Sequence, residues 1–153
     1  MMRPYLLISS AFLLQAAAWF LPVVTSVGGG QVNPIVGWQS FLIALSAAWG
    51  ESFGAWYDNV LAILSVVTTL FFLGSSWVVF RGTRSRRHAC AWIATAFFLF
   101  NAHWYVRLDP NGWISGLGIG YFLWWCSFAL LAVGLFDLAR GSQLLINDDT
   151  RSG

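Results

Sequence analysis

Charge is what this sequence has least of. Only 9% of its 153 residues are charged and 58% are hydrophobic, whereas soluble domains are roughly a quarter charged. A water-soluble globule of this size would lack the polar residues to cover its surface, so that class is excluded. Lysine is missing altogether, and all eight basic residues are Arg. The net charge of +2 is small, and the Arg residues flank apolar runs instead of lining a groove, which excludes a nucleic-acid partner. Cysteine is nearly absent: Cys90 and Cys126 stand 36 positions apart with no C-x-x-C, which leaves thiol–disulfide chemistry without support. Acid–base pairs and nucleophile–base pairs are missing too, so no enzymatic activity is expected. His88 and His103 share one apolar run. About 22 Å separates them along a helix, so they cannot be the two axial ligands of one haem. No other ligand set has metal-binding spacing, so neither a metal nor a cofactor is expected, and His103 reads as an interfacial aromatic beside Trp104 and Tyr105.

Long apolar runs are what the sequence does have. A spanning helix needs about 20 predominantly apolar residues, and four stretches qualify, at about 5–26, 59–80, 88–106 and 113–138. No formal charge falls within them until Asp137, at the end of the fourth. The expected fold is an all-α membrane protein, with four transmembrane helices in an antiparallel bundle over residues 1–140 and a polar tail over 141–153. Met1 to Pro4 and Val24-Thr25-Ser26 loosely resemble the ends of a signal peptide. The apolar stretch between them is long for that role, and an uncleaved first helix is expected.

Orientation follows from the Arg residues. Four crossings place Arg3, the cluster Arg81, Arg84, Arg86 and Arg87, and Arg140 and Arg151 on one side, with only Arg107 opposite. Both termini are therefore expected in the cytoplasm. Glu51, Asp58 and Asp109 mark the outer side.

Between the first two spans, Asn33-Pro34 is a helix-start signal and Gly50 a stop. Trp38, Phe41, Leu42, Leu45 and Trp49 recur on one helical face. The expectation is an amphipathic helix over about 34–49, lying at the outer interface or across the bundle mouth, with a re-entrant segment as the alternative. The connections at 81–87 and 107–112 are short and carry turn chemistry, which makes spans two to four antiparallel neighbours.

Several residues are candidates for more than spanning. Gly116 and Gly120 form G-x-x-x-G at the start of the fourth span, a pattern that lets helices approach closely, within the bundle or between subunits. Ser65, Thr69 and Ser76, with Gln15, Thr95, Asn101 and Ser127, supply polar groups that bond between helices in hydrocarbon. No ionisable residue sits at mid-depth, which argues against a proton-coupled transporter or a channel with a charged ring. Arg81, Arg84, Arg86 and Arg87 hold their loop inside and are candidates for contact with acidic lipid. Asp137 and Arg140 are spaced to pair along one helix. Trp124 and Trp125 fall near the middle of the fourth span, as an aromatic wall for a quinone, carotenoid or lipid tail or as ordinary packing.

The stretches Gly120-Tyr121-Phe122-Leu123-Trp124-Trp125-Cys126-Ser127-Phe128 and Gly37-Trp38-Gln39-Ser40-Phe41-Leu42 resemble small four-span bacterial inner-membrane proteins of unknown function. That resemblance implies a bacterial inner membrane and no particular activity. The layout, with a larger first outer loop, is also similar to the claudin group, but that group's paired cysteines are missing from this loop. The function expected is a non-enzymatic accessory or assembly subunit of a larger membrane complex, with the lipid bilayer and other membrane subunits or further copies of the chain as partners. A membrane immunity-type protein against a toxin and a carrier of an apolar ligand are the alternatives.

Overall fold

The computed structural model describes residues 3–28, 31–50, 56–106 and 116–149. Glu51, Arg107, Asp109, the turn at 107–112, Trp113 and Arg151 lie outside them. Its elements run in the order α1 (Arg3–Phe20), β1 (Pro22–Gly28), β2 (Gln31–Val36), α2 (Gly37–Ser46), a 3-10 turn (Ala47–Trp49), α3 (Trp56–Arg81), α4 (Arg84–Asn101), α5 (His103–Val106), β3 (Gly116–Leu117) and α6 (Ile119–Asp149).

The first departure from expectation is at Pro22. The apolar run continues to Ser26, but the helix ends at Phe20. Proline cannot donate the next helical bond, and Val23, Val24 and Thr25 are β-branched residues that favour a pleated backbone. β1 pairs antiparallel with β2, from Pro22 opposite Val36 to Gly28 opposite Gln31. On its other edge Val24 and Thr25 face Leu117 and Gly116 of β3. The protein is mostly helical, yet it carries a three-stranded sheet of order β2-β1-β3 where none is expected.

The sheet corrects the reading of the fourth span. Gly116 belongs to β3 and not to a helix, so Gly116 and Gly120 do not form a helical G-x-x-x-G face. These glycines instead let the chain press onto residues 21–25. A Cβ on Gly116 would stand 2.8 Å from Thr25 Oγ1, and one on Gly120 2.7 Å from Leu21 O. At Gly118 a Cβ would collide with Pro22 O, while its N–H donates to Val23 O at 2.8 Å. Beyond this junction α6 runs for 31 residues to Asp149, through the segment expected to be a polar tail.

Below the sheet the helices form a bundle. α1 lies antiparallel along α6: Arg3 meets Asp137, Gly134 faces Pro4 and Ile8, and Ser127 bonds Gln15. α4 runs along another face of α6, with Trp92 on Phe136 and Phe98 on Trp125. α3 packs on α4 and reaches α6 through Phe72. The core is a relay of edge-to-face rings, Phe12–Phe72–Phe128–Phe97, with centroids 5.0, 5.2 and 6.4 Å apart. Such pairs add about 0.5–1.5 kcal/mol each beyond burial. Leu131 and Leu135 close the core fully buried.

Trp56–Arg81, Arg84–Val106 and Ile119–Gly141 are long and apolar enough to cross a bilayer, and the chain is a membrane protein. α3 shows how its surface suits that setting. Its exposed residues Val60, Ile63, Leu64, Val67, Leu70, Leu73 and Trp77 make an apolar stripe at helical spacing, the reverse of a water-facing helix. Exposed Tyr57 and Trp77 stand 20 residues apart. That is about 30 Å along a helix, the thickness of the hydrocarbon layer that aromatic belts bracket. Asp58 in the first turn and Arg81 in the last complement the helix dipole. α1, at 18 residues, is about 27 Å long and is not one of the three.

Candidate functional site

The first candidate surface is the cap formed by the sheet and α2. α2 starts at Gly37, not at Pro34, which lies in β2. Gly37 fits because its Cα side rests on the end of α1, where a Cβ would stand 2.8 Å from Trp19 Cα. Its N–H donates to Leu21 O at 3.2 Å, and Gln39 Oε1 accepts from Val36 N–H at 3.2 Å. The segment ends at Gly50, whose φ of +92° is the left-handed conformation glycine adopts most readily. Phe41 packs on Trp19 with centroids 5.4 Å apart, and Leu45 is half-buried. Trp38, Leu42 and Trp49 are exposed, Trp49 at 76%. The single apolar face read from periodicity is thus divided: Phe41 anchors the helix to α1, while Trp38 and Leu42 face outwards. With Ile35, Gln39 and Ile43 these two line an open groove of about 400 Å³.

Beneath this cap lies a belt of polar contacts that ties the cap-side ends of the helices together. Ala102 N–H turns to Leu99 O, one residue short of its α-helical partner, and the Trp125 indole donates to Phe98 O at 2.7 Å. Tyr121 Oη donates to Asn101 O at 2.7 Å. Both α6 side chains therefore satisfy carbonyls at the C-terminal end of α4, where intrahelical donors run out. On the α3 side, Trp104 Nε1 donates to Ser65 Oγ at 3.0 Å and Asn101 Nδ2 to Thr68 Oγ1 at 3.5 Å. Between α1 and α6, Ser127 Oγ donates to Gln15 Oε1 at 2.8 Å. Ser65, Asn101, Gln15 and Ser127 are the interhelical bonding residues expected of them. Ser76, Thr69 and Thr95 bond back to carbonyls of their own helices. Sequence reasoning missed Tyr121 and Trp104 as bonding residues; the available signal was a polar-tipped aromatic near the end of each span.

Trp124 and Trp125 sit near the N-terminal end of α6, not at its centre, because the helix begins at Ile119. Trp125 stacks on Phe98 at 4.8 Å with planes 8° apart, and Trp124 meets Phe128 edge-on at 5.6 Å. Both are half-buried. No protein-family model, curated protein or solved structure matches the chain. The chemistry of the residues themselves is therefore the guide to function.

The second candidate surface is the turn between α3 and α4. Gly82 N–H donates to Val78 O at 2.9 Å, and Thr83 caps α4 by accepting from Arg86 N–H at 3.5 Å. Arg87 reaches back to Val79 O with Nη2 at 3.2 Å. Arg81 lies over Trp77, 5.4 Å from the ring centroid. Arg81, Arg84 and Arg86 are exposed. Asp137 pairs with Arg3 across helices at 3.8 Å and not with Arg140 as spacing suggests. His88 lies near this end, against Phe136. His103 belongs to the opposite end, beside the cap, its ring 4.6 Å from Trp104. Among the described residues no three His, Cys, Asp or Glu gather as a metal set. Cys90 is buried and Cys126 exposed, and both are free thiols.

Proposed function

We propose that this chain is a non-enzymatic accessory or assembly subunit of a larger bacterial inner-membrane complex, and that it meets its partner through the cap. The observation that carries this reading is the outward face of α2. Trp38 and Leu42 are exposed around an apolar groove on a helix already anchored by Phe41. Fixed, exposed aromatic and aliphatic side chains are the usual anchors of protein interfaces, and apolar patches rarely go uncovered.

In this reading α1 is a fourth span, since it lies antiparallel beside the membrane-length α6 over its whole length. The described Arg residues, Arg3, Arg81, Arg84, Arg86, Arg87 and Arg140, gather at one end of the bundle, with Asp58 at the other. That asymmetry supports an orientation with both ends and the Arg-rich turn in the cytoplasm. Single cysteines placed at Ser85 or Ser142 then escape labelling from outside, and those at Ser52 or Asn111 react.

The function itself is tested by affinity purification from membranes in mild detergent. The wild-type protein is expected to bring down a membrane partner in fixed ratio, and the Trp38→Asp, Leu42→Asp double variant to insert normally and lose it. Purification of the wild type alone, across detergents that preserve membrane complexes, overturns the proposal.

A further inference from the structure

The turn joining α3 to α4 has a charge arrangement that local folding does not account for. Arg84, Arg86 and Arg87 occupy the first turn of α4 and no acidic residue accompanies them. The positive end of a helix dipole favours carboxylates there and disfavours cations. Arg81 closes α3 immediately before them. Asp137, the acidic side chain described at this end of the bundle, is engaged by Arg3, and no described carboxylate pairs with Arg81, Arg84 or Arg86. Arg87 has a structural task, since it bonds Val79 O. The other three are exposed on a turn fixed by Gly82 and Thr83, three cations within six residues and, among the described residues, without a counter-ion.

What adjoins them is apolar. Trp77 and Phe80 of α3 are exposed at 65% and 78%, and Trp92 of α4 at 65%. Arg81 already leans over Trp77, its delocalised cation held on the ring face. The surface is thus cationic at the end of the bundle and continuously apolar along its side, with aromatic rings at the boundary. An acidic peptide or a free phosphate complements only the charged half. A molecule with an anionic phosphate head and hydrocarbon tails complements both. We propose that Arg81, Arg84 and Arg86, with Trp77 and Phe80, form a binding site for an anionic phospholipid of the adjoining leaflet. The phosphate is held by the guanidinium groups and the chains lie along α3. Arg suits this role because its planar fork bonds phosphate oxygens in pairs.

The test titrates the detergent-purified protein with phosphatidylglycerol, following its thermal unfolding midpoint, with phosphatidylcholine and inorganic phosphate as comparison probes. Phosphatidylglycerol is expected to raise the midpoint saturably where the other two do not. Each surface Arg contributes about a fivefold factor to anionic-lipid affinity, so R84Q/R86Q raises the half-saturating concentration on the order of 25-fold. R84K/R86K keeps the charge that holds the turn in the cytoplasm but loses the fork, and falls between. R3Q/R140Q removes equal charge from the same end of the bundle and shifts the half-saturating concentration much less. An equal shift in R3Q/R140Q and R84Q/R86Q, an equal response to phosphatidylcholine, or the same stabilisation by inorganic phosphate overturns the proposal.

Discussion

Gly134 is a point of close approach between α6 and α1, and replacing it measures what that seam contributes. A Cβ built there stands 2.7 Å from Ile8 Cγ1, 3.2 Å from Pro4 O and 3.3 Å from Ile8 N. Carbon atoms rest at about 3.5–4.0 Å, so α1 must recede by roughly 1 Å or Ile8 must leave its rotamer. Forcing extra carbon into a packed seam costs about 1–3 kcal/mol, and alanine recovers about 0.8–1 kcal/mol of helix propensity. Gly134→Ala should therefore destabilise by about 0–2 kcal/mol, and Gly134→Leu by about 3 kcal/mol. The same substitution at Gly74 has the opposite expectation, because nothing lies within 4 Å of a Cβ on its exposed face. Gly74→Ala should be neutral or stabilising by up to about 1 kcal/mol. Thermal unfolding in one detergent reads the comparison, with Gly134→Leu lowering the midpoint by about 6–12 °C for a chain of this size. An unchanged midpoint in Gly134→Leu, or an equal loss in Gly74→Leu, would show that the α1–α6 seam does not hold the bundle together.

Three other substitutions probe separate contacts. Trp125→Phe keeps the stack on Phe98 but removes the donor to Phe98 O, and should cost about 1 kcal/mol in the same melt. A neutral result would mean that carbonyl needs no side-chain partner. Phe128→Ala, at a fully buried position, should cost about 3–5 kcal/mol, while Leu70→Ala on the exposed stripe should cost far less. Equal losses by denaturant titration would refute a lipid-facing assignment of that stripe. Gly118→Val should break the junction with Pro22 and open the cap to protease while membrane insertion proceeds, so a protease-resistant variant would contradict it.

Much of this architecture is legible in the sequence because lipid imposes a blunt criterion. Apolar length locates the cores of α3, α4 and α6, and the recurrence of Trp38, Phe41 and Leu45 locates α2. What hydropathy could not resolve was where apolar residues stop being helical. Val23 and Val24 are as apolar as Leu13 and Leu14, so hydropathy carries the run on, although Pro22 and the β-branched triplet after it favour a strand. Gly28, Gly29 and Gly30 between two such runs are a hairpin signal of the ordinary kind. The spacing of the glycines at 116 and 120 matches a helix face, and only the pairing of Thr25 with Gly116 gives them another purpose. Of the candidate sites, the Arg cluster is visible in sequence, but the partnership of Asp137 with Arg3 is not. That contact depends on the order of helices around α6, which no local pattern encodes.

That order has a consequence for how the protein is made. The chief neighbour of α1 is α6, and β1 lies between β2 and a strand that directly precedes α6. The earliest of these helices to leave the ribosome must therefore wait for the latest, which begins 99 residues after α1 ends, a non-local closure of the slow kind. In that interval α1 holds Gln15 without Ser127, and the hairpin has one unclaimed edge. Arrival of Gly116 and Leu117 completes the sheet as α6 completes the bundle. The two events are joined by a single residue, Gly118, so the cap records at one end of the bundle whether the last helix has taken its place within.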